Sequence, residues 1–288
     1  MNPTDRLLVT YTLGVAALVG IAGVGGSGGG GGTSHLPLAA LHLALAAFAV
    51  VLGRLDCGAS RPGWRWLHRW LPVLALPWLY DAAGRLRHIL VAHDLDAWIA
   101  RADAWIFPGR WYLAGARWPL PALELAHAVY FSYYLLLFVP ALVVERRRQL
   151  ERREVDRYLH ALTATLLAHY ALNFLLPVAG PLADRARDMP AGALFLPLMD
   201  AIYFAFDRGG LAFPSTHVAA SVVAGWFAGR SFFPRAGAAF AVWVTAISAS
   251  TVICGYHYPI DALAGLATGG ACLAAVLQRE RPTAAGSG

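Results

Sequence analysis

The chain has 288 residues, of which 58% are hydrophobic and only 14% are charged. A soluble domain carries about 25% charged residues, so the composition excludes an ordinary soluble protein. The net charge of +6 comes entirely from arginine, because the sequence contains no lysine. In a protein this apolar such an excess indicates membrane topology, and we expect no nucleic-acid partner. The three cysteines, Cys57, Cys254 and Cys272, lack the spacing of a metal site or a disulfide framework.

Apolar runs long enough to cross a bilayer recur along the chain, since a spanning helix needs about 20 such residues. These runs predict eight spans, at about 7–24, 36–53, 70–91, 124–144, 159–177, 211–229, 237–254 and 260–278. The expected fold is therefore an all-α, polytopic membrane protein. We divide it into two N-terminal spans with a Gly-rich loop (1–60), a six-span domain (61–280) and a short polar tail (281–288).

The arginines set the expected orientation, because cytoplasmic loops collect basic residues. With the N-terminus inside, fifteen of the 23 arginines lie on the cytoplasmic side, including those of ERRRQLERREVDR at 145–157. The loop 178–210, the start of the sixth span and the turn before the eighth then share the extracytoplasmic side of the cell membrane. Between the third and fourth spans, residues 94–107 have the pattern of a helix with one apolar face. That face suits either the membrane interface or packing against neighbouring spans.

The sixth span begins with the sequence PSTH, residues 214–217. Pro214 suits the first position of a helix, which would leave the N–H groups of Ser215, Thr216 and His217 free. Such a helix end carries partial positive charge and binds phosphate well. The plainer interpretation is that the hydroxyls only cap the helix and that His217 is an amphipathic residue at the interface.

The eighth span begins with the sequence GYHYPID, in which His257 lies four residues before Asp261. A carboxylate this close can hydrogen-bond to the imidazole, fix its tautomer and leave the other ring nitrogen free to react. The alternative is an interfacial salt bridge. Two histidines and a carboxylate on one membrane side favour a functional site, because ionisable groups are costly there.

These motifs, within NFLLPVAGP, AFPSTHVAAS and STVICGYHYPIDALAG, resemble the type-2 phosphatidic acid phosphatase superfamily, and most closely its inositol phosphorylceramide synthase branch. The resemblance covers about 173–270 and implies a six-helix core formed by the last six spans. It further implies that His257 is the nucleophile and forms a phosphohistidine, that Asp261 orients it, and that His217 protonates the leaving group. Ser215 and Thr216 would contact the phosphate.

Two departures concern the cations that clamp the phosphate in that family. Its third motif usually has Ser-Arg where this chain has Ser250 and Thr251, and Leu182 follows Pro181 where related sequences often carry arginine. Arg185 and Arg208 are candidate replacements, although arginines in such a loop more often contact lipid headgroups.

Two residues at the start of the fourth span, His127 and Tyr130, are candidates to line the site. The alternative for the tyrosine is an aromatic belt at the membrane interface. No cluster of carboxylates suits magnesium and no ligand spacing suits zinc, so we expect neither a metal nor another cofactor.

The leading hypothesis is a membrane enzyme that acts on a lipid phosphate or phospholipid headgroup. With water as acceptor it would be a lipid phosphatase, and with an alcohol an inositolphosphotransferase-like enzyme. The missing arginines keep a second hypothesis open, namely a catalytically silent scaffold or lipid carrier. The sequence indicates membrane lipids as partners and identifies no protein partner.

Overall fold

A computed structural model describes residues 1–25, 35–58, 62–147, 152–206 and 209–279. Most of the predicted Gly-rich loop, the tail 281–288 and Arg208 lie outside these residues. Within them the chain forms helices and no strand. The α-helices are α1 (Pro3–Gly25), α2 (Leu36–Gly58), α3 (Pro62–Arg85), α4 (Asp96–Ile106), α5 (Leu120–Arg147), α6 (Arg152–Asn173), α7 (Leu182–Asp188), α8 (Phe195–Phe206), α9 (Thr216–Phe227), α10 (Gly237–Ile253) and α11 (Pro259–Arg279).

Each of the eight predicted apolar segments overlaps one of these helices. Five described segments are long and apolar enough to cross a membrane: Pro3–Gly23, Leu36–Asp56, Leu120–Arg146, Pro234–Ile253 and Pro259–Arg279. The prediction of a polytopic helical membrane protein is thus confirmed, with five such helices rather than eight.

The other three segments correspond to α3, α6 and α9, which lie among the spanning helices. α9 has 12 residues and continues directly into the five-residue π-helical turn Ala228–Phe232. Together they extend about 25 Å, which is less than the roughly 30 Å of a bilayer's hydrocarbon core. Helices α5, α6, α10 and α11 all pack against it, and Val218, Ala220 and Phe227 are completely buried. Because protein surrounds α9, it needs less apolar surface than a helix that faces lipid.

The segment 94–107 forms α4, as predicted, and its apolar face points outward. Trp98 and Trp105 are 69% and 85% exposed, while Asp103 on the other side is buried. This arrangement matches the interfacial interpretation, in which large aromatic rings meet lipid headgroups. The loop 178–210 is more ordered than its sequence indicated, because it contains α7 and α8.

The loops before α7 and before α9 are joined side by side. Val178 and Leu211 form an isolated parallel bridge, with hydrogen bonds from the N–H of Val178 to the carbonyl of Gly210 (3.3 Å) and from that of Ala212 to the carbonyl of Val178 (2.8 Å). Gly180 has φ of +79°, and a Cβ there would lie 2.9 Å from that of Ala212. Glycine is needed because only it combines this φ with so close an approach.

Small residues bring α9 and α11 into direct backbone contact. A Cβ on Gly269 would lie 2.7 Å from the Cα of Ala219, and one on Gly265 would lie 2.6 Å from the carbonyl oxygen of Ser215. Any larger side chain at these two positions would therefore separate the helices.

We expect Gly269→Ala to destabilise the protein, by about 1–3 kcal/mol, because the added methyl group overpacks a tight contact. Gly270→Ala is the matched control: a Cβ there meets nothing within 4 Å, so the higher helix propensity of alanine should leave stability unchanged or raised. Thermal unfolding in detergent measures both. Equal midpoints for the two variants would contradict the close contact.

Candidate active site

The first turn of α9 presents the PSTH motif differently from the sequence-based prediction. The helix begins at Thr216, and Ser215 is its N-cap, with its hydroxyl accepting a hydrogen bond from the N–H of Val218 at 3.3 Å. Pro214 therefore precedes the cap, and the expectation that it occupies the first helical position is wrong. The N–H of Ser215 donates to the carbonyl of Asp261 at 3.0 Å. Only Thr216 and His217 keep the N–H groups that a first turn leaves without an intrahelical partner.

His257 is buried, and its contacts define its tautomer. Nδ1 lies 3.1 Å from the carbonyl oxygen of Ala212, and Nε2 lies 3.2 Å from the hydroxyl of Ser215. A carbonyl oxygen only accepts hydrogen bonds, so we assign the ring proton to Nδ1. The lone pair is then on Nε2, where the Ser215 hydroxyl donates to it.

Asp261 is completely buried beside this histidine. Its Oδ2 accepts the N–H of Tyr258 at 2.8 Å and lies 3.6 Å from Nδ1 of His257. The second distance is too long for a hydrogen bond. The predicted direct bond is therefore absent, and the carboxylate orders the turn 257–261 and places negative charge near the imidazole. Its Oδ1 is buried without a hydrogen-bond partner among the described residues.

His217 lies next to His257, with ring centroids 5.9 Å apart and ring planes inclined by 62°. The rings of Tyr130 and Tyr133 flank it, with centroids at 5.2 and 4.7 Å. Its Nδ1 is buried and has no hydrogen-bond partner in the described part of the chain. The structure thus brings Ser215, His217, His257 and Asp261 together at the first turns of α9 and α11.

An apolar cavity of about 360 Å³ reaches this cluster. It lies among α3, α5, α6 and α8, and Thr216 and His217 of α9 also line it. The remaining walls are almost entirely aliphatic and aromatic, and include Leu137, Leu166 and Ile202. A hydrocarbon chain is the ligand that such a lining favours.

Arg185 contacts the loop that carries His257, and its guanidinium is already occupied. Nε donates to the carbonyl of Cys254 (2.9 Å), one terminal nitrogen pairs with Asp200 (2.8 Å), and the other donates to the hydroxyl of Tyr256 (2.8 Å). Its guanidinium carbon lies 4.2 Å from the centre of the Tyr256 ring. These contacts give it a positioning role for residues 254–256.

Of the two candidate lining residues, Tyr130 packs against His217, and His127 packs against Tyr256. His127 is buried, with Nδ1 2.9 Å from the carbonyl of Leu123 and Nε2 3.4 Å from Arg185. Tyr130 is also buried, and its hydroxyl bonds that of Tyr203 at 2.6 Å. Neither residue lines the apolar cavity, so substrate contact remains a prediction for both.

The positions where the family carries arginine hold no cation here. Thr251 is completely buried, and its carbonyl accepts the N–H groups of Tyr256 and His257, both at 3.1 Å. It therefore shapes the turn that presents His257. Among the described residues, no group of three or more His, Cys, Asp and Glu could hold a metal ion.

Two carboxylates of α4 support the site, and the sequence reasoning missed both. Asp96 accepts the N–H groups of Ala179 (2.9 Å) and Gly180 (2.8 Å), and Asp103 accepts that of Ile260 (2.9 Å) in the first turn of α11. Burial raises the pKa of Asp103, although the hydrogen bond from Ile260 lowers it. Their spacing of seven residues, two helical turns, was the available signal that both face the same side.

We expect Arg185→Ala to lower the free energy of unfolding by about 2 kcal/mol, because it removes charge-assisted hydrogen bonds that fix the 254–256 loop. Arg187→Ala is the matched control, since Arg187 lies on the same short helix with its side chain 63% exposed. It should leave stability nearly unchanged. Denaturation followed by tryptophan fluorescence would measure both, and equal effects would refute a positioning role for Arg185.

The comparisons with known proteins agree with this geometry. Neither the curated proteins nor the solved structures gave a match to the chain. A family model, described as the PAP2 superfamily, matches residues 97–275. The matched range covers more than half of the chain and contains His217, His257 and Asp261. The chain therefore belongs to the PAP2 superfamily.

Proposed function

We propose that this protein is an integral-membrane enzyme that transfers the phosphoryl group of a lipid phosphate or of a phospholipid headgroup. The observation that carries the proposal is that His217 lines the apolar cavity and that its ring adjoins that of His257. A lipid chain in the cavity would place its phosphate at the two imidazoles. Membership of the PAP2 superfamily supports phosphatase-type chemistry at this site.

In the proposed reaction, Nε2 of His257 attacks phosphorus and forms a P–N bond. The P–O bond to the leaving group breaks, and His217 donates a proton to the departing oxygen. The Ser215 hydroxyl, 3.2 Å from Nε2 in the resting state, would turn from the nitrogen to a phosphoryl oxygen. The N–H groups of Thr216 and His217 would bind a second oxygen, as helix N-termini bind phosphate. Arg208 remains a candidate cation for the phosphate.

The second half-reaction needs an acceptor. Water or an alcohol gives its proton to His217 and attacks phosphorus, and the P–N bond then breaks. Water makes the protein a lipid phosphatase, whereas an alcohol makes it a phosphotransferase of the inositol phosphorylceramide synthase type. The absence of arginine at position 251 favours a phosphodiester, which carries less charge than a monoester and needs less clamping.

We further propose that the site faces the extracytoplasmic side of the cell membrane. Arg279 is at the opposite end of α11 from His257, and Arg6, Arg65, Arg69 and Arg157 line the same cavity as Arg279. Basic residues concentrate on the cytoplasmic side of membrane proteins.

Purified protein incubated with phosphatidic acid, an isoprenyl diphosphate and phosphatidylinositol tests the function. Phosphatidylinositol is supplied with and without ceramide or diacylglycerol as acceptor. Release of inorganic phosphate from the first two indicates a phosphatase, and a new phospholipid without phosphate release indicates a transferase. No turnover, under conditions in which an active member of the superfamily works, would refute the proposal in favour of a silent scaffold or lipid carrier.

We expect His257→Ala to lower turnover by about 10³-fold or more, because it removes the nucleophile. His93→Ala is the matched control, since His93 lies exposed in the loop before α4. Substrate labelled with ³²P should also leave acid-labile, base-stable label on the wild-type protein and none on His257→Ala. Substantial activity in a folded His257→Ala variant would exclude the proposed nucleophile.

We expect Ile202→Trp to fill the apolar cavity and lower kcat/KM for a long-chain substrate about tenfold. A short-chain or soluble phosphate ester should react at the wild-type rate, because it does not need the cavity. Leu198→Trp, one turn earlier on α8, is the control, since Leu198 is 38% exposed and does not line the cavity. Parallel losses for long and short substrates would mean that the cavity does not hold the chain.

A further inference from the structure

A second cavity, of about 1050 Å³ and lined by many polar residues, lies at the end of the bundle opposite to His257. Helices α1, α2, α3, α6 and α11 surround it. Five arginines from four of these helices line it: Arg6, Arg65, Arg69, Arg157 and Arg279. We call this cavity the basic recess.

The basic recess and the histidine pair lie at opposite membrane faces. Asp261 and Arg279 are at the two ends of α11, and 18 residues of helix span about 27 Å. The hydrocarbon core of a bilayer is about 30 Å thick. In a bilayer that α11 spans, the recess would therefore lie at headgroup depth in the leaflet opposite to the candidate active site.

Two of the five arginines are held by carboxylates. Arg69 pairs with Glu145 at 2.8 Å and with Asp156 at 2.7 Å, and Arg157 pairs with Glu154 at 2.6 Å. These pairs give the recess a fixed wall. Their positive charge is largely balanced within the protein, so they are not the strongest attraction for an anion.

The other three arginines lack such partners. Arg6, Arg65 and Arg279 are exposed, and none of them has an ion pair with a described acidic residue. A neighbouring cavity of about 370 Å³ shares Arg65 and Arg69 and adds Arg146 and Arg152. Together the two cavities are lined by seven arginines and by three carboxylates, so positive charge is in excess.

His68 and Asp56, which line the recess, belong to a hydrogen-bonded network of side chains. His68 lies between two carboxylates, with Nε2 3.0 Å from Asp5 and Nδ1 2.8 Å from Asp56. These contacts tie α1 and α2 to α3. Apolar side chains also line the recess, including Leu7, Leu159 and Val276. The recess thus combines arginines with an apolar wall.

We propose that the basic recess binds a phosphate-bearing anion, and specifically the headgroup of an anionic phospholipid. Guanidinium forks match phosphate oxygens in pairs, and basic pockets between membrane helices at the cytoplasmic face suit anionic headgroups. The apolar wall would contact the first part of the acyl chains. The bound lipid would join α1 and α2, which lie outside the range matched by the family model, to the helices within it.

The test compares two triple variants of the full-length protein in neutral detergent. Arg6→Gln/Arg65→Gln/Arg279→Gln removes the three unpaired arginines of the recess. Arg54→Gln/Arg230→Gln/Arg235→Gln is the control, because it removes equal charge from exposed residues that do not line the recess. The probes are phosphatidylglycerol, phosphatidylcholine, oleate and inorganic pyrophosphate, each titrated while thermal stabilisation is recorded.

We expect phosphatidylglycerol to stabilise the wild-type protein and the control variant. Its apparent affinity for the recess variant should fall on the order of 100-fold, since each arginine near an anionic headgroup contributes about 1 kcal/mol. The triple Arg→Lys variant of the same positions keeps the charge and should bind with intermediate affinity, because it loses the guanidinium forks. It also provides the comparison if the glutamine variant does not fold.

Three results would overturn the proposal: equal loss in the recess and control variants, equal stabilisation by oleate, and equal stabilisation by phosphatidylcholine. The first two would mean that only surface charge matters. Stabilisation by pyrophosphate equal to that by phosphatidylglycerol, and lost in the recess variant, would support the phosphate site but assign it to a soluble ligand. None of these outcomes depends on catalytic activity.

Discussion

The close approach of the first turns of α9 and α11 is the constraint on which the candidate site depends. The N–H of Ser215 donates to the carbonyl of Asp261, and Gly265 and Gly269 leave no side chain between the two helices. Through this contact the hydroxyl of Ser215 meets Nε2 of His257. A few tenths of an ångström of separation would break that hydrogen bond, so the small residues of α11 determine the geometry of the polar ones.

Backbone groups of the loops around this contact form hydrogen bonds with side chains from elements that are distant in sequence. Asp96 and Asp103 accept N–H groups that precede α7 and begin α11, and Arg185 bonds the loop before His257. Each buried backbone donor or acceptor would cost free energy if left unpaired. The family's usual arginine at position 251 is replaced by a buried threonine, and the same loop is braced by an arginine from α7. Arg185 orders the loop, but its guanidinium already contacts Cys254, Tyr256 and Asp200.

The two ends of the bundle have opposite character. At one end an apolar, aromatic pocket is lined by His217, which lies next to His257, and at the other a cavity holds an excess of arginine. The apolar pocket suits the hydrocarbon part of a lipid substrate. A basic one suits lasting contact with an anionic surface. The protein would then contact lipid phosphate in both leaflets, by chemistry at one face and by binding at the other.

The sequence by itself determined the helical membrane fold, the approximate positions of its long apolar segments and the candidate residues in PSTH and GYHYPID. Local composition and short motifs are sufficient to predict each of these features. Only the tertiary structure decided that Ala212, rather than Asp261, accepts the Nδ1 proton of His257. The tertiary structure also decided that Asp96 and Asp103 of α4 and Arg185 of α7 bind backbone groups of the loops around the site. Such contacts join residues up to 157 positions apart, and neither hydrophobic periodicity nor a short motif records which distant group will meet a given hydrogen-bond donor.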